Sequence, residues 1–158
     1  MAKPKRSASV KGTGKFDLAL RELDPSDIPE VVAIQQAITK KAVSRAWTSM
    51  VERHLWDSHG VGFVAVRGGE IVGFAIGEMK GESFGLSRSG WIETMGVAPH
   101  AMGDGIGKAM IDKLFEYFRR NKITTVFTAL PWHAVDMVSF FRSIGFGPSD
   151  YMNVTRQL

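Results

Sequence analysis

The sequence predicts a single α/β domain over residues 16–158, a mixed central β-sheet flanked by helices in the order β-α-α-β-β-β-α-β-α-β. Three observations carry that expectation. Apolar runs of strand length alternate with segments whose apolar residues recur every three or four positions. Two of the strand runs flank Gly68-Gly69, a hairpin signature. A glycine-rich turn at 103–107 separates a short apolar strand from an amphipathic helix.

The elements follow in order. Residues 1–15, MAKPKRSASVKGTGK, read as a basic, disordered arm, because small and polar residues there make no apolar face. Lys3, Lys5, Arg6, Lys11 and Lys15 precede the first acid, Asp17; without these five cations the net +4 of the chain becomes −1. LALRELD (18–24) is the first strand, and Pro25-Ser26-Asp27 supplies a turn and an N-cap for a helix to about Thr39. SRAWTSMVERHLWDS (44–58) is a second helix capped by Ser44, with Trp47, Met50, Val51 and Leu55 on one face. VGFVAVRG and IVGFAIGEM form the hairpin, GESFGLSRSG (81–90) is a polar connection, and WIETMGV (91–97) leads into the glycine turn. The helix KAMIDKLFEYFRR (108–120) comes next, then a strand, ITTVFTAL (123–130). The last helix, HAVDMVSFFRSIGF (133–146), ends with Gly145 as a left-handed C′ residue and Phe146 packing back. Tyr151 falls in an expected final strand.

Met95 to Lys108 reads MGVAPHAMGDGIGK. A glycine turn between a strand and a helix leaves backbone N–H groups unpaired at the positive end of the helix dipole, a ready site for phosphate. Glycine also lets a pyrophosphate approach the backbone closely. Other phosphate motifs fail here. The nucleotide P-loop needs Gly where this chain has Met102, and Ser or Thr where it has Ala109. The dinucleotide fingerprint needs Gly where Lys108 stands.

Val97, Pro99, Met102, Gly105 and Gly107 resemble the central motif of the GNAT N-acetyltransferase superfamily, with Met102 departing from its usual Arg or Gln. The strand, helix and Gly145-Phe146 ending resembles the second motif of that superfamily, with Phe140-Phe141 in place of its Phe-Tyr pair. The likeness covers residues 61–158 and the order of elements. It implies acetyl-coenzyme A as co-substrate and direct transfer of the acetyl group to a primary amine. It also implies that the backbones of Met95, Gly96 and Val97 pair with the pantetheine arm as an added strand. Met102, Gly103, Asp104, Gly105, Ile106, Gly107 and Lys108 would cradle the pyrophosphate. His133 stands near an Asn that contacts pantetheine in many relatives, and Phe141 at the position of the usual Tyr.

Acetyl transfer from a thioester to an amine needs a base for the amine, donors for the oxyanion and a proton for the thiolate. Glu93 is the candidate base: strand alternation predicts residues 93, 95 and 97 on one face and Thr94 on the other. A rim carboxylate paired with Lys or Arg is the alternative for Glu93. Phe141 has no proton to give, which leaves Tyr151, water or the acceptor ammonium as the acid. His54, His59 and His100 have no H-E-x-x-H spacing, so no metal site is expected.

The 158 residues, 44% hydrophobic and 23% charged, suffice for an ordinary globular core. No signal peptide or apolar run of membrane-spanning length occurs, so the expectation is a cytoplasmic protein with no membrane partner. The absence of cysteine excludes disulfides, thiolate metal sites and a cysteine nucleophile. The expected partner is a small-molecule or protein amine. An anionic surface such as nucleic acid would suit the arm, which as a plain solubilising tail would need none. Two other functions stay open: an acyl-coenzyme A-binding regulatory domain without catalysis, suggested by Met102 and Phe141, and a nucleic-acid adaptor using the arm. The acceptor is not legible, and neither is oligomeric state, a homodimer included.

Overall fold

The computed structural model describes residues 17–82 and 85–158, so the arm expected over 1–15 lies outside the described residues. The chain divides after Thr128 into two compact units. The first holds one sheet, ordered β1 (Leu18–Glu22), β2 (Gly60–Arg67), β3 (Glu70–Lys80), β4 (Ser89–Val97) and β5 (Val126–Thr128). Neighbours from β1 to β4 run antiparallel and β5 joins β4 in parallel, which makes the sheet mixed as expected. Helices α1 (Ile28–Thr39), α2 (Arg45–Trp56) and α3 (Ile106–Arg120) complete the unit.

Local chemistry sets these boundaries. Before α1, Asp24 accepts from the Ser26 N–H at 3.0 Å and Asp27 accepts from the Asp24 N–H at 2.8 Å, a reciprocal cap around the 3-10 turn Pro25–Asp27. Arg21 grips the same Asp27 carboxylate with two hydrogen bonds of 2.6 and 2.8 Å. Ser44 caps α2 as expected, its Oγ accepting from the Trp47 N–H at 3.2 Å. The β2–β3 hairpin turns on Gly68 and Gly69, whose φ values of 59° and 82° suit a type I′ turn.

The sheet has a helix-covered core on each face. Ile106, Met110, Ile111, Leu114 and Phe118 of α3 are buried on one. The Phe118 ring lies so close to β4 that a Cβ at Gly90 would come within 2.9 Å of it. On the other face Val31, Ile34 and Val51 are buried, and Trp47 stands edge-on to Phe74 with centroids 5.8 Å apart. No helix among the described residues is long and apolar enough to cross a membrane.

The second unit contains α4 (Val135–Ser143). Its end matches the expectation: Gly145 has φ 96°, its N–H donates to Arg142 O at 3.1 Å, and the Phe146 N–H donates to Phe141 O at 3.0 Å. Two sequence expectations are corrected here. The helix starts at Val135, so His133 precedes it by two residues. The final strand does not form; Tyr151 sits in an irregular segment. There Ser149 Oγ accepts from the Tyr151 N–H at 3.1 Å and donates to its carbonyl at 2.8 Å, satisfying locally the groups a ladder would use.

Candidate functional site

β4 leads through the 3-10 turn Pro99–Ala101 to Met102, whose backbone is extended and whose side chain is exposed. Gly103 and Gly105 follow with φ values of 86° and 77°, a left-handed backbone that favours glycine. Gly105 is the N-cap of α3 and offers no side-chain cap. The first inward bond of the helix runs from the Ala109 N–H to Gly105 O at 3.0 Å. Among the described residues, the backbone N–H groups of 103–108 meet no acceptor. Together with the helix dipole they form a cradle for an anion. Two side chains of the turn are already engaged: Asp104 by Arg67 at 2.6 Å, and Lys108 by Asp112 at 2.6 Å.

The strand before this turn has an open edge. Pairing of β4 with β5 runs through Gly90–Val126, Trp91–Phe127 and Ile92–Thr128, and there it stops. Thr128 Oγ1 closes the end with a 3.1 Å hydrogen bond to Ile92 O. From Glu93 to Val97, β4 has β3 on one side and no strand of the described residues on the other. An extended chain could pair there.

A β-bulge decides where Glu93 points. Ile76 of β3 faces Thr94 and the next residue, Gly77, faces Ile92, so Glu93 is the extra residue of β4. This overturns the simple alternation of 93, 95 and 97. Val97 pairs with Gly73, whose absent Cβ would meet Met110 and Ile106 of α3, and Met95 pairs with Ala75 on that same face. Glu93 instead joins the α2 face, where its carboxylate lies with Glu78 and His54, their ligand atoms all within 4.8 Å of one another. Thr94, paired with Ile76, shares that face rather than opposing it.

His54 is buried, with 4% of its surface exposed. Its Nδ1 lies 2.7 Å from the Met50 carbonyl and so carries a proton, leaving Nε2 to face Glu78 Oε2 at 3.3 Å. Beside them Lys80 Nζ is 2.8 Å from Glu93 Oε1 and 4.5 Å from the Trp91 ring centroid. The ammonium is out of line for a hydrogen bond, so this buried oxygen is compensated by charge alone. One imidazole nitrogen and two carboxylates could hold a divalent cation, a role Lys80 fills in part beside Glu93. Sequence reasoning missed this cluster. Its members come from a helix and two strands with no motif spacing, and the bulge that turns Glu93 toward it leaves no local mark.

Residues 93–108 therefore converge in the first unit: an anion cradle, an open strand edge and a carboxylate at its head. His133, Phe141 and Tyr151 belong to the second unit. His133 is exposed, and its carbonyl accepts from the Val135 N–H at 3.0 Å. Phe141 is buried edge-on to Phe140 and Phe146, with centroids 5.2 and 5.1 Å away. Tyr151 is exposed.

Residues 28–146 match the acetyltransferase (GNAT) family. No curated protein matches the chain in sequence. Solved structures share its fold. The aminoglycoside N-acetyltransferase AAC(6')-Iy in complex with CoA is similar with a TM-score of 0.79 at 14% identity, over 92% of this chain and 98% of that one. The aminoglycoside 6'-N-acetyltransferase AAC(6')-IG from Acinetobacter haemolyticus gives 0.76 at 13% identity, over 88% and 97%. A transcriptional regulator from Bacillus halodurans gives 0.75 at 17% identity, over 89% and 99%.

Proposed function

The chain belongs to the acetyltransferase (GNAT) family, and we propose that it transfers an acetyl group from acetyl-coenzyme A directly to a primary amine. The observation that carries this reading is the row of unpartnered N–H groups at 103–108, placed directly after a strand whose edge is open from Glu93 to Val97. The co-substrate supplies an acetyl group activated as a thioester. The N–H groups of Gly103 to Lys108 hold the pyrophosphate, with the Met102 N–H already given to Pro99 O, and the backbone of Met95, Gly96 and Val97 pairs with the pantetheine arm. A strand N–H on that edge faces the acetyl oxygen as negative charge develops.

Glu93 takes the proton from the acceptor ammonium, and the bulge directs it to the face where α1 and α2 shape the acceptor's approach. Water or the acceptor ammonium itself returns a proton to the leaving sulfur. Two carboxylates on the acceptor side, Glu78 and Glu93, favour a cationic amine. The solved neighbours agree with a small one: AAC(6')-Iy has been captured with a bisubstrate analog, CoA-S-monomethyl-acetylneamine. Calorimetry with coenzyme A, followed by thiol release from acetyl-coenzyme A over a panel of amines, tests the proposal. Binding with amine-dependent thiol release is expected. Binding without release from any amine would support the regulatory reading that Phe141 and Met102 favour, and no binding would remove both.

A further inference from the structure

We propose that Lys80 is an acetylation site and that the chain modifies it intramolecularly, using the carboxylate on which the ammonium is docked. The inference rests on the acetyltransferase reading above. Lys80 ends β3, and its Nζ lies 2.8 Å from Glu93 Oε1 with 4.5 Å to the centroid of Trp91. A primary alkylammonium held between a carboxylate and an aromatic face is bound as an external amine would have to be. Lys80 thus occupies the place of the acceptor.

Position and mobility both favour the reaction. Glu93 is the bulge residue at which β4 parts from β5, so Nζ is paired with the first residue of the edge assigned to the thioester arm. The Lys80 side chain is 41% exposed, which leaves its stem room to move the last few ångströms. Its contact with Glu93 is an ion pair without an aligned hydrogen bond, so little holds the ammonium in one orientation. Lys108 and Lys113, by contrast, pair with Asp112 and Glu116 along α3, away from this carboxylate. The same chemistry therefore singles out one lysine among them.

The step balances without a further reactant. Glu93 takes one proton from the Lys80 ammonium and passes it to solvent. The nitrogen lone pair forms the bond to the acetyl carbon, and the carbon–sulfur bond breaks with its electron pair going to sulfur. The second nitrogen proton ends on that sulfur, giving an amide and a free thiol. Once the amide forms, Lys80 carries no charge and no longer pairs with Glu93, so the reaction stops at one acetyl group per chain at this site.

Tryptic mapping after incubation with acetyl-coenzyme A and no added amine is the test. Acetylation blocks cleavage after Lys80, so one peptide, Gly68–Arg88, replaces two. Expected is labelling of Lys80 about tenfold or more faster than any other lysine, at a rate per chain unchanged by dilution of the protein. Glu93→Gln should abolish the preference, and heat-unfolded wild type should label its lysines evenly; dilution independence needs no variant and stands if Glu93→Gln fails to fold. Lys80 labelling no faster than its neighbours, in a protein that acetylates added amines, would overturn the inference and leave the acetyltransferase reading intact. A rate that rises with protein concentration would also overturn it, by showing transfer between chains. Coenzyme A binding with no acetylation of Lys80 or of any added amine would overturn both.

Discussion

Arg67 Nη1 donates to Asp104 Oδ2 at 2.6 Å, joining the end of β2 to the glycine turn across 37 positions of sequence. An acid in the middle of an anion cradle opposes the ligand it should hold, and Arg67 cancels that charge. Arg67→Ala should weaken coenzyme A binding about five- to tenfold, equivalent to about 1–1.4 kcal/mol. The double variant Arg67→Ala with Asp104→Asn should recover most of the loss, because the uncompensated acid is gone. Calorimetry on wild type, Arg67→Ala, Asp104→Asn and the double variant checks this; an undiminished loss in the double variant would mean that Arg67 contacts the ligand itself.

Gly105 has φ 77°, and a Cβ there would meet nothing within 4 Å. The site therefore has room in the protein alone, and the cost of a side chain divides into backbone strain and ligand exclusion. Gly105→Ala should cost about 1–2 kcal/mol of stability, whereas Gly105→Val should also occlude the cradle and remove measurable coenzyme A binding from the folded fraction. Lys108→Ala should change affinity by less than about twofold, because Asp112 already engages its ammonium. Melting curves beside binding isotherms separate the two effects.

Much of this was legible in the sequence because it is written in local chemistry. Ser44, Gly68-Gly69, Gly145 and the turn at 103–107 each do what their residue type dictates over a span of a few positions. The placement of Glu93 was not legible. A register shift between Ile76 and Gly77 inserts one residue into β4, and one residue is enough to change which face a side chain meets. The pairing of Arg67 with Asp104 and the gathering of His54, Glu78 and Glu93 depend on long-range contacts that no spacing encodes. The final strand failed for the opposite reason: Ser149 bonds the backbone of Tyr151 locally where a last strand was expected.

The Asp27 carboxyl provides a pH-dependent element in the first unit. Burial pushes its pKa up, but the hydrogen bonds from Arg21 and the Asp24 N–H, with the Arg21 charge, outweigh that and hold it below the usual carboxylate value. A carboxyl lowered in the folded state contributes stability above its ordinary value of about 3.9, and that contribution is lost as pH falls through the lowered value. Arg21 is partly exposed, so the pair is screened by solvent. Asp27→Asn should cost about 1–2 kcal/mol at neutral pH, a fall in Tm of about 3–6 °C. The gap between variant and wild type should close in acid below the ordinary carboxylate range. Thermal melts of both proteins from pH 7 downward check the sign; a gap that widens in acid would contradict this account.

Glu93 is the proposed base and also the partner of Lys80, so its removal has two effects that must be told apart. As the base, Glu93→Gln should lower turnover of an added amine near neutral pH by about 10²–10⁴-fold, equivalent to about 3–5 kcal/mol of barrier. Affinity for coenzyme A should change little, because the cradle at 103–108 does not involve this carboxylate. The deficit should shrink as pH rises, since more of the acceptor is then already neutral. As a rim ion pair alone, Glu93 would give another pattern: a lower Tm with near-normal turnover in the protein that remains folded. Lys80→Met removes the same ion pair and leaves the carboxylate, so it should share any loss of Tm without the loss of turnover. A pH–rate profile of Glu93→Gln that runs parallel to wild type with less than about a threefold offset would take Glu93 out of the mechanism. The proton would then have to leave through water or the His54–Glu78 pair, and His54→Gln would become the variant that distinguishes those routes.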